Sequence, residues 1–231
     1  MDRDEILRVL RAFETAGLEY VLIGATAMGF HGLVRATEDV DLFVRATPEN
    51  IERLRVAFRA AYAADPNVEE IRSDDLLGNY PAVRYYPPTG DLCFDVLSRL
   101  GEAASFETVD AEVKVVDGIR VHVVTPAALY RMEKGTIRPL DRQDAAAIPR
   151  ASWPRRRGWG MSVQKFRSAE EMNAAPIRTP SGDGFERFVR HCARYWRIAP
   201  RSYPRGVEKF RSIEEAQAAR RTVTERQRRS S

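Results

Sequence analysis

Hydrophobic positions recur at helical spacing in three parts of the first 134 residues. Apolar residues three or four apart over residues 3–16 predict an amphipathic helix. Thr47 and Pro48 predict the start of a second helix, because a threonine cap followed by proline suits the first turn. Thr125 and Pro126 predict the start of a third helix in the same way.

Between these helices, apolar and polar residues alternate with the period of two that is typical of strands. The predicted strands cover residues 20–23, 39–44, 82–86 and 91–97, and a hairpin over 112–124 turns at Asp117-Gly118. An Asp-Gly pair suits the type I′ turn that joins two hairpin strands. Mixed strands and helices predict an α/β or α+β unit, with a small mixed sheet flanked by helices.

Charge divides the chain into two parts. Residues 1–150 hold 18 Lys and Arg against 25 Asp and Glu, a formal charge of −7. Residues 151–231 hold 19 against 8, which gives +11. A stretch rich in Pro, Gly and Arg at 151–160 separates them and fits neither helix nor strand spacing. We therefore predict a domain over 1–150, a linker over 151–160 and a basic unit over 161–231.

The basic unit contains a two-copy repeat, in which residues 163–171 match 207–215 at an offset of 44. Each copy ends in the Ser-x-x-Glu pattern of a capping box, which predicts the start of a helix. Between the copies, apolar residues at helical spacing are flanked by arginines: Phe185, Phe188, Val189, Cys192 and Trp196. This pattern predicts a mostly helical unit with a packing or partner-binding face, followed by a disordered tail after residue 215.

Several classes of protein are disfavoured by composition. No apolar run approaches the ~18 residues of a membrane span, and the acidic N-terminus differs from a signal peptide. Two cysteines are too few for a disulfide framework, and the two Cys and three His have no zinc-site spacing. We therefore expect a cytoplasmic protein.

Carboxylates supply the candidate chemistry. Asp39 and Asp41 lie two apart on a predicted strand, so their side chains share one face. Asp91 and Asp95 share a face of a later strand. If the two strands are neighbours, Asp39, Asp41 and one of the later pair form an all-oxygen site suited to Mg²⁺ or Mn²⁺. The alternative is a pair of solvated aspartates on an edge strand.

The motif around these aspartates resembles a known superfamily. Gly24 follows a strand and precedes Asp39-x-Asp41, as in the DNA polymerase β-like nucleotidyltransferases. The spacing Arg35-x-Thr37-x-Asp39-x-Asp41 resembles the AbiEii-type bacterial nucleotidyltransferase toxins, and the resemblance extends over residues 5–148. It implies the nucleotidyltransferase fold and the metal-dependent transfer of a nucleoside monophosphate from an NTP to an acceptor hydroxyl.

The resemblance also implies roles for individual residues. Asp39, Asp41 and Asp95 would be the catalytic and metal-binding carboxylates. Ala25 departs from the usual Ser or Gly of the family, which removes a hydroxyl contact to phosphate. The implied nucleotide-binding residues are Gly24, Ala25, Arg35, Thr37, Lys134, Arg138 and Asp144.

The sequence leaves the acceptor and the role of the basic unit open. A tRNA end is the first choice of acceptor, a protein hydroxyl the second and a small molecule the third. A non-catalytic nucleotide- or RNA-binding protein with the same fold is the alternative. The basic unit resembles in organisation the short partner encoded beside such toxins. We expect it to contact the acidic domain and restrain it in cis; the alternatives are RNA delivery and a solvated tail.

Overall fold

The computed structural model of the chain describes residues 1–134 apart from 38, 79, 80 and 103, then 184–198, 203–212 and residues 215, 216, 218, 219 and 222. The described residues from 184 to 222 are called the C-terminal segment below. The α-helices are α1 Arg3–Thr15, α2 Gly24–Phe30, α3 Pro48–Ala61, α4 Pro126–Lys134 and α5 Gly184–Ile198. No helix in these ranges is long and apolar enough to cross a membrane.

The strands are β1 Tyr20–Leu22, β2 Val40–Val44, β3 Ala82–Tyr86, β4 Phe94–Leu97, β5 Arg99–Leu100, β6 Ala104–Ser105, β7 Ala111–Val116, β8 Ile119–Val124 and β9 Gly206–Phe210. Seven of them form one mixed sheet in the order β7-β8-β1-β2-β4-β3-β9, and β5 and β6 form a separate pair. Within the large sheet, the pairs β1–β8 and β2–β4 are parallel and the other neighbours are antiparallel. The predicted mixed sheet flanked by helices is confirmed.

Local hydrogen bonds explain where the predicted elements begin and turn. The Thr47 hydroxyl accepts a hydrogen bond from the Asn50 amide at 3.3 Å, and Pro48 opens α3 as predicted. Asp117 and Gly118 have φ angles of 47° and 75°, as a type I′ turn between β7 and β8 requires.

Strand β4 is shorter than predicted, because it begins at Phe94 rather than at Asp91. The backbone amides of Asp91 and Leu92 donate instead to the buried carboxylate of Glu5, at 2.9 and 3.4 Å. The amides just before β4 are therefore satisfied by α1, and Asp91 is not part of the strand.

One face of the sheet packs against α1 and α3 through aromatic side chains. Phe58 of α3 lies 4.7 Å from Tyr85 and 5.0 Å from Phe94, measured between ring centroids. Phe13 of α1 adds an edge-on contact to Phe94. Since successive residues of a strand point to opposite faces, the neighbour Asp95 points to the other face of the sheet.

The C-terminal segment completes the sheet. Strand β9 pairs antiparallel with β3, with Val207 opposite Tyr85. This strand was not predicted, because the repeat in which it lies carries a helix-start signal. That signal acts after the strand: the Ser212 hydroxyl accepts from the Glu215 amide at 3.2 Å, and residues 215 and 216 are helical.

The first copy of the repeat and the predicted linker lie outside the described residues, as does most of the predicted tail. The division into two domains stays a prediction. The contact expected between the two parts of the chain is nevertheless present, through both β9 and α5.

Helix α5 packs on α2 at very short range. Phe185 stacks on Phe30 with ring centroids 4.7 Å apart, and Phe188 is fully buried. A β-carbon on Gly29 would lie 2.5 Å from Cγ and 2.7 Å from Cβ of Phe188. The absence of a side chain at Gly29 therefore allows the two helices to approach.

We predict that Gly29→Ala lowers the free energy of unfolding by about 1–3 kcal/mol, the usual cost of overpacking. In the Phe188→Ala background this cost shrinks, because Cγ and Cδ2 of the phenyl ring are gone and alanine favours a helix over glycine. Denaturant unfolding of the four proteins measures both values. An equal cost in the two backgrounds would contradict the packing described here.

Candidate active site

Three aspartates meet on the sheet face opposite the aromatic core. Strands β2 and β4 run parallel with Asp41 directly opposite Asp95, and Asp39 precedes Asp41 by two residues. One carboxylate oxygen from each lies within 4.8 Å of those of the other two. The structure therefore brings together the three carboxylates that the sequence singled out, and it does not include Asp91 in this acidic cluster.

Thr37 fixes Asp39 from the loop that precedes β2. Its hydroxyl donates to Oδ1 of Asp39 at 2.6 Å, and both residues are buried. The carbonyl of Thr37 accepts a hydrogen bond from the indole Nε1 of Trp196 in α5, at 3.3 Å. Thr37, which was expected to bind nucleotide, is thus placed to orient a carboxylate.

Asp95 is held by Arg84 of the neighbouring strand β3. The two residues are directly opposite in the antiparallel pairing, and the guanidinium donates through Nε and Nη2 at 2.6 and 3.0 Å. Arg84 is only 2% exposed. Burial disfavours its charge, but the hydrogen bonds and charge of Asp95 more than offset this, so the pKa of Arg84 is raised.

Arg84 was missed by the sequence reasoning. The signal was an arginine in the middle of the buried strand 82–86, since a charge there requires a partner on an adjacent strand. Which strand lies beside β3 is a property of the sheet order and cannot be read from the local sequence.

Gly24 begins α2 directly beside Asp41. Its φ angle is +59°, and a β-carbon there would overlap Oδ2 of Asp41 and lie 3.0 Å from Cγ. Glycine is required here both for the backbone conformation and for the space that the carboxylate occupies. The next residue, Ala25, is fully buried in α2.

The other candidate nucleotide ligands lie on the loop before β2, at the end of α4 and outside the described residues. Arg35 is half-buried on the loop before Thr37, and its Nη1 donates to the Ala36 carbonyl at 3.5 Å. Lys134 ends α4, while Arg138 and Asp144 lie outside the described residues.

Cys93 lies two residues before Asp95 and is buried. Burial, together with the charge of Asp95, raises the pKa of the Cys93 thiol well above its usual value. The thiol therefore stays protonated at neutral pH, as expected of a packing residue rather than a nucleophile.

The acidic cluster fits a hard divalent cation. Its donors are carboxylate oxygens, which Mg²⁺ and Mn²⁺ prefer, and they are close enough to share an ion. Carboxylates this close repel one another, and Arg84 pairs with one of the three. A divalent ion held among them would reduce that repulsion, which gives the cluster a physical reason to bind cations.

Comparison with known proteins gives one family. A family model described as nucleotidyl transferase AbiEii toxin, type IV TA system, matches residues 6–130. The match includes α2 and the three aspartates and ends within α4, so it does not reach α5 or β9. No curated protein gives a match to the chain.

We predict that Gly24→Ala weakens the binding of Mn²⁺ at least about tenfold, because the new methyl group displaces the Asp41 carboxylate. Gly17→Ala is the matched control: its φ is +63° and its β-carbon would meet open space. Both variants lose about 1–2 kcal/mol of stability from the left-handed backbone. Mn²⁺ titrations followed by electron paramagnetic resonance measure the affinity, and equal affinities in the two variants would contradict the prediction.

Proposed function

Because this chain belongs to the nucleotidyl transferase AbiEii toxin family of type IV toxin–antitoxin systems, we propose that it moves a nucleoside monophosphate from an NTP to an acceptor hydroxyl. The observation that carries the proposal is the acidic cluster, in which Asp41 and Asp95 lie on adjacent parallel strands and Asp39 directly precedes the first of them. A nucleotidyltransferase of this kind needs such a group of carboxylates, and Gly24 leaves the space that the Asp41 carboxylate occupies.

In the proposed reaction the acceptor oxygen forms a bond to the α-phosphorus of the NTP. The bond between that phosphorus and the bridging oxygen breaks, pyrophosphate leaves with the electron pair, and the hydroxyl proton passes to water. Asp39, Asp41 and Asp95 would hold Mg²⁺ or Mn²⁺, which when bound offsets the charge of the phosphates. The chain itself contributes position: Thr37 and Arg84 fix two of the carboxylates.

The nucleotide would lie against the start of α2 and the loop that follows it. Gly24 and Ala25 would offer backbone amides, and Arg35 would contact the phosphates from the loop before β2. Lys134, Arg138 and Asp144 complete the proposed nucleotide site on the basis of the family resemblance alone.

A tRNA end is the proposed acceptor, and a protein hydroxyl is the second choice. The exposed side of α5 supports RNA, because Arg190, Arg194 and Arg197 follow one helical stripe. None of the three forms an ion pair within the part of the chain that the structure describes. Trp196, on the same helix, contacts the loop that leads into the acidic cluster. The helix that carries the stripe therefore contacts this loop.

The rival proposal is a protein that binds nucleotide or RNA without turnover, and Ala25 favours it. We further propose that the C-terminal part of the chain is an antitoxin-like unit that acts on the transferase in cis. Its described residues contact the loop of Thr37 and the strand of Arg84. The proposed substrates, NTPs and tRNA, are cytoplasmic, and we propose the same location for the protein.

We predict that Asp39→Asn combined with Asp41→Asn lowers nucleotide transfer at least about 100-fold, because two ligand charges are lost. Glu70→Gln, which removes an exposed carboxylate outside the acidic cluster, is the control and retains activity. The assay incubates full-length protein with labelled NTPs, Mg²⁺ and total tRNA. Metal-dependent NTP binding without label transfer would favour the rival, and label transfer by the double variant would refute the assignment.

We predict that replacing Arg190, Arg194 and Arg197 by Gln weakens tRNA binding and lowers its salt dependence. The slope of log K against log salt should fall by about one for each arginine that contacts a phosphate. The control replaces three exposed arginines elsewhere, Arg11, Arg99 and Arg120, so that the net charge is the same. An equal loss in both triple variants would show that net charge, not the α5 stripe, attracts the RNA.

A further inference from the structure

We propose that the C-terminal segment contributes to the active site, because Trp196 and Phe210 act as positioning residues for Asp39 and Asp95. The effect on nucleotide transfer rests on the proposed function, whereas the effect on cation binding rests on the geometry of the acidic cluster alone. Both ends of the cluster are connected to this segment by one intermediate residue each, Thr37 at one end and Arg84 at the other.

The first connection runs from α5 to Asp39. Trp196 donates its indole N–H to the Thr37 carbonyl, and the Thr37 hydroxyl donates to Asp39. Two further contacts hold the same loop: Arg187 donates to the Gly32 carbonyl at 3.2 Å and Cys192 lies 3.9 Å from that of Arg35. The conformation that aims the Thr37 hydroxyl at Asp39 is therefore supported by α5.

The second connection runs from β9 to Asp95. The guanidinium of Arg84 lies over the Phe210 ring, 5.1 Å from its centroid, and Nη1 donates to the Ala216 carbonyl at 3.4 Å. Phe210 covers a face of the guanidinium and Ala216 accepts from the nitrogen that Asp95 does not use, so the guanidinium is desolvated and fixed. A buried arginine with a fixed orientation holds both oxygens of its carboxylate partner in one geometry.

Fixed geometry matters here because carboxylates this close repel one another. A carboxylate that is free to rotate turns away from its neighbours, and cation binding must then restore its orientation. Partners that orient metal ligands typically change metal affinity or activity 10- to 100-fold when they are lost. Trp196 and Phe210 act one step further out, and we expect effects near the lower end of that range.

The contacts indicate that the C-terminal segment supports the site, rather than restraining it as the opposite charges led us to expect. The two interpretations predict opposite changes in cation affinity when these contacts are lost. Under support, loss of the contacts that the C-terminal segment makes with Thr37 and Arg84 weakens cation binding. Under restraint, the same change strengthens cation binding or raises activity. The sign of the change therefore separates the two interpretations.

The test uses the full-length chain with three variants, Trp196→Phe, Phe210→Leu and Arg84→Lys. The first loses the indole donor together with part of the ring, the second loses the aromatic face, and the third keeps the charge but loses the two-pronged hydrogen bond. Two controls change the same elements elsewhere. Phe188→Leu alters α5 where it packs on α2, and Val207→Ala alters β9 on the face opposite to Arg84.

Mn²⁺ affinity measured by electron paramagnetic resonance is the main readout, because it does not depend on turnover. We expect the Mn²⁺ dissociation constant to rise about tenfold in Phe210→Leu and in Arg84→Lys, and severalfold in Trp196→Phe. The controls should match the wild type at temperatures well below every melting transition. In the transfer assay, the Mg²⁺ concentration for half activity should rise in parallel while the KM for NTP stays constant.

Wild-type affinity in both Trp196→Phe and Phe210→Leu would overturn the inference, whatever the effect of Arg84→Lys, and tighter binding or higher activity would replace it with restraint. Equal losses in variants and controls would also overturn it, because they would reflect general destabilisation. If the wild type binds Mn²⁺, the variants bind it weakly and no NTP is ever used, the proposed function fails while this inference stands. A wild type that binds no Mn²⁺ would overturn both.

Discussion

The structure depends on the parallel pairing of β2 with β4, which holds like charges together. Asp41 lies directly opposite Asp95, with Asp39 on the same face, and three carboxylate oxygens lie within 4.8 Å. Coulombic repulsion alone would separate them. The backbone hydrogen bonds of the sheet prevent this, since neither strand can shift by one residue without moving its apolar side chains out of the core. The energy of burying one face of the sheet thus maintains an unfavourable arrangement on the other.

Three residues around the cluster help to accommodate this repulsion, each in a different way. Arg84 balances charge, because it brings a buried guanidinium to Asp95. Thr37 contributes a neutral donor to Asp39, which fixes a direction without cancelling the negative charge. Gly24 leaves room, since any side chain there would occupy the position of the Asp41 carboxylate. Together they keep three carboxylates close to one another and oriented, and carboxylates this close favour a cation among them.

Sequence patterns predicted the elements and turns that neighbouring residues determine. They missed the contacts that depend on the order of the strands in the sheet. The alternation in residues 39–44 predicted β2 and the face shared by its aspartates, and Asp117-Gly118 predicted the hairpin turn, because both signals are local. Arg84 became part of the site only because β3 lies beside β4. Strand β9 was missed because its pairing partner is distant in sequence, while the serine cap beyond it gave a clear helical signal. The truncated start of β4 depends in the same way on Glu5, a residue almost 90 positions earlier.

Strand β9 joins β3 across about 120 residues of chain, more than any other strand pairing in this sheet. Closing so long a loop costs entropy that is recovered only once the strands have paired, so this edge is expected to form late in folding. Synthesis adds a second delay, because the ribosome releases the chain from its N-terminus and β9 emerges after the whole acidic cluster. Under the positioning role inferred for the C-terminal segment, a nascent chain carries all three aspartates before it can hold them in order. An enzyme of a toxin family built in this way matures only after its C-terminal segment has left the ribosome.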